Sequence, residues 1–128
     1  MRVLLADDQL RIRFALRALL SQQPELDIVG EAADAQDLLA QVEVTSPDLV
    51  LLAWELPSLS AADLLCILRQ ICPHAVVIVL SSRPEERGAI LEAGADAFVS
   101  KIDLPARLLA AIRQAAEKVS VTDQEEAR

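Results

Sequence analysis

The chain has 128 residues, the size of one domain of ordinary dimensions. Hydrophobic residues make up 53% of it and charged residues 25%, which excludes general disorder and lets about two-thirds of the surface be buried without staples. Twenty acids against twelve bases leave a net charge of −8, an argument against direct nucleic-acid binding, because phosphate neutralisation needs clustered Lys and Arg.

Short β-like runs alternate with helical patterns along the chain. Val3-Leu4-Leu5-Ala6 is an apolar run ending at Asp7-Asp8. Ile12, Ala15, Leu16 and Leu19 then recur at the spacing of one buried helical face, and Pro24 closes that helix. Asp27 to Gly30 predicts a second strand, followed by helical spacing at Ala35, Leu38, Leu39 and Val42. Asp48 to Ala53 is apolar on consecutive positions, as a parallel strand covered on both faces should be. Leu59 to Arg69 reads as a helix and Ala75 to Leu80 as a buried strand. Ser82-Arg83-Pro84-Glu85-Glu86 carries a helix-start signal, and Gly94 a left-handed stop. Asp96 to Val99 is a short fifth strand. The last helix is expected to open at Asp103-Leu104-Pro105 with Asp103 as N-cap, and to carry Leu104, Leu108, Ile112 and Ala115 on one face. From Ser120 the apolar period fades, so residues 1–119 are expected as the domain and 120–128 as a frayed acidic tail.

The N-terminus opens on a strand pattern, with no secretory signal, and no apolar run reaches the length of a membrane span, which together predict a cytoplasmic chain away from membranes. Cys66 and Cys72, with His74 as the only His, are too few for a zinc site and are expected as small apolar fillers near a helix end. Five strands alternating with five helices predict an α/β fold with a doubly wound parallel sheet. In such sheets ligands bind beyond the carboxyl ends of the strands, at the point where strand order reverses. The residues to inspect are therefore Asp7 and Asp8, Ala53 to Pro57, Ser81 and Ser82, and Ser100 and Lys101. Two readings of the acidic pair stand open: one of them caps the following helix, or the two hold a hard divalent cation. No glycine-rich phosphate loop, nucleophile elbow or catalytic His is present.

Taken together, Leu5-Ala6-Asp7-Asp8, Pro47 to Leu52, Leu56-Pro57, Leu80-Ser81 and Gly94 to Lys101 resemble the receiver domain of two-component response regulators. The likeness runs from residue 1 to about 118. In style it is nearest to regulators with LuxR-type helix-turn-helix outputs. The resemblance implies a flavodoxin-like sheet of order 2-1-3-4-5 and a phosphoryl pocket made by Ser81 and Lys101. It further implies Phe98 as the switch aromatic and Asp7 and Asp8 as ligands to Mg²⁺. In that family an aspartate at the end of the third strand accepts the phosphoryl group from a histidine kinase; here the position is Ala53.

A methyl group has no lone pair, so it can neither attack phosphorus nor ligate a metal. With one carboxylate gone, Mg²⁺ binding is expected to be weak, with Glu55 as a backbone or substitute ligand in the loop beyond Ala53. The expected function is a pseudo-receiver, a phosphorylation-independent interaction module of a phosphorelay, and not an enzyme. The alternatives are an ordinary receiver carrying an engineered Asp-to-Ala change at residue 53, and a small metal-assisted phosphatase on the same sheet. Expected partners are a histidine kinase, an output domain or another signalling protein, with nucleic acid and membrane set aside. Weak homodimerisation is expected through the first and last helices, where Phe14, Leu109 and Ala116 interleave with Arg13, Arg17 and Arg113. Only eight residues follow Ser120, so an output module is expected to lie outside this chain, either absent or removed.

Overall fold

Every residue of the two innermost β-runs is buried, and this is what sets the architecture. The computed structural model describes the backbone of residues 1–126 and the side chains of residues 1–117. The strands are β1 (Arg2–Ala6), β2 (Asp27–Ala32), β3 (Leu49–Ala53), β4 (Val76–Ser81) and β5 (Ala97–Ser100). The helices are α1 (Leu10–Leu20), α2 (Ala35–Thr45), α3 (Ala61–Ile71), α4 (Arg87–Glu92) and α5 (Ala106–Glu126). The strands form one parallel sheet of order β2-β1-β3-β4-β5, as expected. This is the flavodoxin-like arrangement, and its order reverses beside β1 and β3.

Side chains alternate across the strands and build a core on each face. Leu4, Val50, Leu52, Val77 and Val79 pack with Leu38 and Val42 of α2, Leu64, Leu65 and Leu68 of α3, and Ile90 of α4. Val3, Leu5, Leu49, Leu51, Ile78 and Leu80 pack on the other face with Leu16 and Leu20 of α1 and Leu108, Ile112 and Ala115 of α5. Burying β3 and β4 on both sides is why they read as unbroken apolar runs. Asp34 and Ser60 start α2 and α3, accepting hydrogen bonds from Asp37 N–H at 2.8 Å and Asp63 N–H at 3.2 Å.

The outer strand β2 is longer than its sequence pattern, reaching Ala32, and its ladder with β1 slips between Val3 and Leu4, which pair with Ile28 and Gly30. Gln41 of α2 donates from Nε2 to the Glu31 carbonyl at 2.6 Å. The segment after Ser82 is divided into a 3-10 turn at Pro84–Glu86 and the short α4, and Gly94 stops it at φ 112°.

The start of α5 differs from expectation. Ser100 Oγ accepts the Ile102 N–H at 3.2 Å and winds Lys101–Asp103 into a 3-10 turn, so Asp103 lies inside that turn and is no helix cap. Leu104 is extended ahead of Pro105, as a residue preceding proline tends to be, and α5 begins only at Ala106. At its far end α5 runs on to Glu126, with neither Gly nor Pro to stop it. Ala127 and Arg128 lie outside the described residues.

Cys66 departs from the filler role, standing exposed on α3, whereas Cys72 is half-buried. On the two helices singled out for surface contacts, Phe14 is 72% exposed, Leu109 half-buried and Ala116 exposed. Among the described residues no helix is long and apolar enough to cross a membrane.

Candidate functional site

The carboxyl ends of β1, β3, β4 and β5 meet at one rim of the sheet, because parallel strands all point the same way. Asp7 follows β1 directly. Its N–H donates to the Ala32 carbonyl at 3.0 Å, extending the sheet ladder, and its carboxylate is only 1% exposed. Asp7 Oδ1 accepts the Gln9 N–H at 2.9 Å, a local Asx turn. Arg13 donates from Nη1 to the Asp7 carbonyl at 2.5 Å. The residue flanking α1 is Gln9, which makes no side-chain cap, so neither Asp7 nor Asp8 serves as the helix cap.

Lys101, in the turn after β5, reaches back across the rim and places Nζ 2.8 Å from Asp7 Oδ2, with 15% of its side chain exposed. The separation is that of an ion pair, but the angles miss those of a hydrogen bond, so Oδ2 is buried without a hydrogen-bond donor. Ser81 ends β4, buried; its Oγ accepts the Arg83 N–H at 3.1 Å and donates a long hydrogen bond to Glu86 Oε1 at 3.4 Å. Ala53 ends β3, buried opposite Leu80, and the next N–H, of Trp54, donates to the Leu80 carbonyl at 2.9 Å.

These pieces enclose a cleft of about 220 Å³ lined by Asp8, Ala53, Trp54, Glu55, Ser81 and Lys101 among others. Asp7 does not line the cleft and meets it only through its contact with Lys101. Glu55 is exposed, and its Oε1 lies 3.9 Å from Arg83 Nε, a solvent-screened contact of little energetic weight. Phe98 does not line the cleft. It sits half-buried on β5 beside a separate hollow bounded by Arg87, Asp103 and Arg107.

Two partners escaped the sequence reading. Glu86 meets Ser81 from the 3-10 turn, and Arg83 bridges toward both Glu55 and Glu86; the i,i+3 spacing of Arg83 and Glu86 was the available signal. A shallower hollow of about 650 Å³ beside α1 was also missed, where Arg13 and Arg17 both pair with Glu31.

The oxygen donors at this rim are few for a divalent cation. Ala53 offers no oxygen, the buried Asp7 Oδ2 already faces an ammonium, and Asp8 and Glu55 are exposed. Among the described residues no group of three or more His, Cys, Asp or Glu side chains is placed to hold a metal ion. The residues present do not fit a Mg²⁺ site.

The fold and the polar cleft at its switch edge define a flavodoxin-like α/β domain. The chain belongs to the response regulator receiver domain family, which it matches over residues 3–113. It is similar to the nitrate/nitrite response regulator protein NarL of Escherichia coli K12, with 33% identity over 116 residues, 89% of this chain and 54% of that protein. The chain thus spans about half the length of the curated relatives it matches. The signal receiver domain of an HD domain-containing protein from Pseudomonas fluorescens Pf-5 superposes with TM-score 0.83 at 31% identity, covering 96% of this chain and 91% of that one. RcsB from Salmonella enterica serovar Typhimurium, solved bound to promoter rprA, superposes with TM-score 0.84 at 21% identity, covering 99% of this chain and 67% of RcsB.

That last likeness, one of fold, overturns the expectation that sets nucleic acid aside. RcsB carries this fold and is bound to promoter DNA, so the charge balance of a receiver describes its own surface and does not set nucleic acid aside.

Proposed function

We propose that this receiver domain of a two-component response regulator signals without accepting a phosphoryl group, as part of a longer transcriptional regulator. The observation that carries the reading is Ala53, a methyl group at the floor of a cleft that still has Ser81 and Lys101 on its walls. Phosphoryl transfer to a protein requires a side-chain lone pair on oxygen, nitrogen or sulfur to attack phosphorus, and Ala53 at the end of β3 has none. Ser81 is committed to Arg83 N–H and Glu86, and Lys101 to Asp7, so neither is left in a reactive arrangement. The carboxylates that line the cleft, Asp8 and Glu55, are both exposed and neither is set against a nucleophile, so we read it as non-catalytic. The transcriptional context is supported by the transcriptional regulatory protein YxjL of Bacillus subtilis, which this chain matches at 32% identity over 54% of that protein.

The test is incubation with acetyl phosphate and Mg²⁺ followed by intact-mass spectrometry. The unmodified mass is expected. A stoichiometric acyl phosphate would overturn the reading, and peptide mapping of the adduct to Glu55 would identify a substitute acceptor.

A further inference from the structure

We propose that the Lys101 ammonium is the resident counter-cation of this domain, closing the acidic pocket over Asp7 so that the cleft does not respond to divalent metal. The inference deepens the reading above and rests on it, since a carboxylate at residue 53 would contest the ammonium.

A carboxylate that is 1% exposed must be matched by an opposite charge or by donors. Asp7 Oδ1 has its donor in Gln9 N–H, whereas Oδ2 has only the ion-pair contact with Lys101. A magnesium ion held by that oxygen would have to approach it to about 2.1 Å. Nζ already stands 2.8 Å away on an 85%-buried stem, and two cations cannot share one oxygen at such range without strong repulsion. The groups around the pair reinforce the closure. Arg13 holds the Asp7 carbonyl from α1, Gln9 holds Oδ1, and Glu55 lies out in solvent near Arg83. Asp8 is exposed and alone cannot replace three carboxylates.

Trp54 is the only Trp of the chain and lines this cleft, which makes its emission a direct reporter. The experiment titrates magnesium chloride into the whole chain at matched ionic strength, following Trp54 fluorescence and Tm. The wild type is expected to show no change in either. Lys101→Met, which keeps length and loses charge, is expected to melt lower and then to regain part of that loss as Mg²⁺ rises through about ten millimolar and beyond, the weak counter-ion effect left to Asp7 and Asp8 without a third carboxylate, with a matching emission change. Lys101→Arg is expected to stay flat. A wild type that responds as Lys101→Met does would overturn the proposal, as would a folded Lys101→Met indifferent to metal. If Lys101→Met does not fold in either buffer, the double variant Asp7→Asn with Lys101→Met decides. Removing both charges restores folding if the unpaired Asp7 was the fault, and a double variant as unfolded as the single one overturns the proposal. An acyl phosphate on the wild type with a flat Mg²⁺ titration would sink the Ala53 reading and leave the counter-cation standing.

Discussion

Arg69 on α3 and Asp96 at the entry to β5 meet at 2.7 Å, and the same guanidinium donates to the Gly94 carbonyl at 2.7 Å and, through Nη1, to the Ala75 carbonyl at 3.1 Å. Asp96 Oδ2 also accepts the Val77 N–H at 2.8 Å. One charged pair therefore ties the loops entering β4 and β5 to a helix on the sheet. Arg69→Met is expected to lower stability by about 1–2 kcal/mol, since the carbonyls and Asp96 lose a shared donor that is itself partly solvated. A urea curve with a shifted midpoint and an unchanged slope would report this; an unchanged midpoint would show the pair to be inert.

Replacing Ala53 by Asp restores a carboxylate beside Ser81 and Lys101. Ala53→Asp is expected to gain the mass of one phosphoryl group with acetyl phosphate and Mg²⁺, and to lose it on chelation beforehand. It is also expected to melt below the wild type in EDTA, because grouped carboxylates repel, and to recover with metal by linkage. Continued inertness would mean that the cleft has departed from a working receiver at more than residue 53.

The two thiols are expected to separate in reactivity. Burial pushes the Cys72 thiol up, with the Arg69 guanidinium opposing, and its Sγ–H donates to the Leu68 carbonyl at 3.1 Å. Cys66 stands exposed. Iodoacetamide at mildly alkaline pH is expected to label Cys66 well before Cys72, read by peptide mass. The folded Cys72 holds its proton more tightly than the unfolded chain does. Its contribution to stability is thus complete below the unfolded thiol pKa and is lost as pH rises toward the folded one. Cys72→Ser should flatten that alkaline limb, and a limb unchanged by the substitution would remove Cys72 as its cause.

Gly30 lies under Gln41, where a Cβ would collide with Gln41 Oε1 and stand 2.9 Å from Leu4 Cδ1. The amide end can swing away only by giving up its bond to the Glu31 carbonyl, and Leu4 is fully buried. Gly30→Ala is expected to cost about 1–3 kcal/mol by overpacking. Thermal melting checks this, and a cost below a few tenths would show that Gln41 is free to leave.

The parallel sheet was legible because three central strands buried on both faces read as apolar runs and because parallel strands need helical crossovers, whereas its order came from the family resemblance, since crossovers only narrow the choice. The rim was legible for the same reason: Asp7, Ala53, Ser81 and Lys101 each end or follow a strand. What spacing does not carry is which way a long side chain turns. Lys101 reaches Asp7 from the far end of the chain, and Glu86 reaches Ser81 only because Pro84 begins a 3-10 turn. Asp103 was misplaced because Ser100 Oγ captured the Ile102 N–H first, a competition between two short polar side chains that sequence alone leaves even.

The slipped ladder between β1 and β2 has a consequence for life at high concentration. An outer strand with an even row of open backbone groups is a template on which further strands polymerise. Here Val29 is the residue passed over by the pairing, and Gln41 occupies the Glu31 carbonyl farther along the same strand. An incoming strand would find the repeat broken at one place and already answered at another, so fibre growth is denied its starting register.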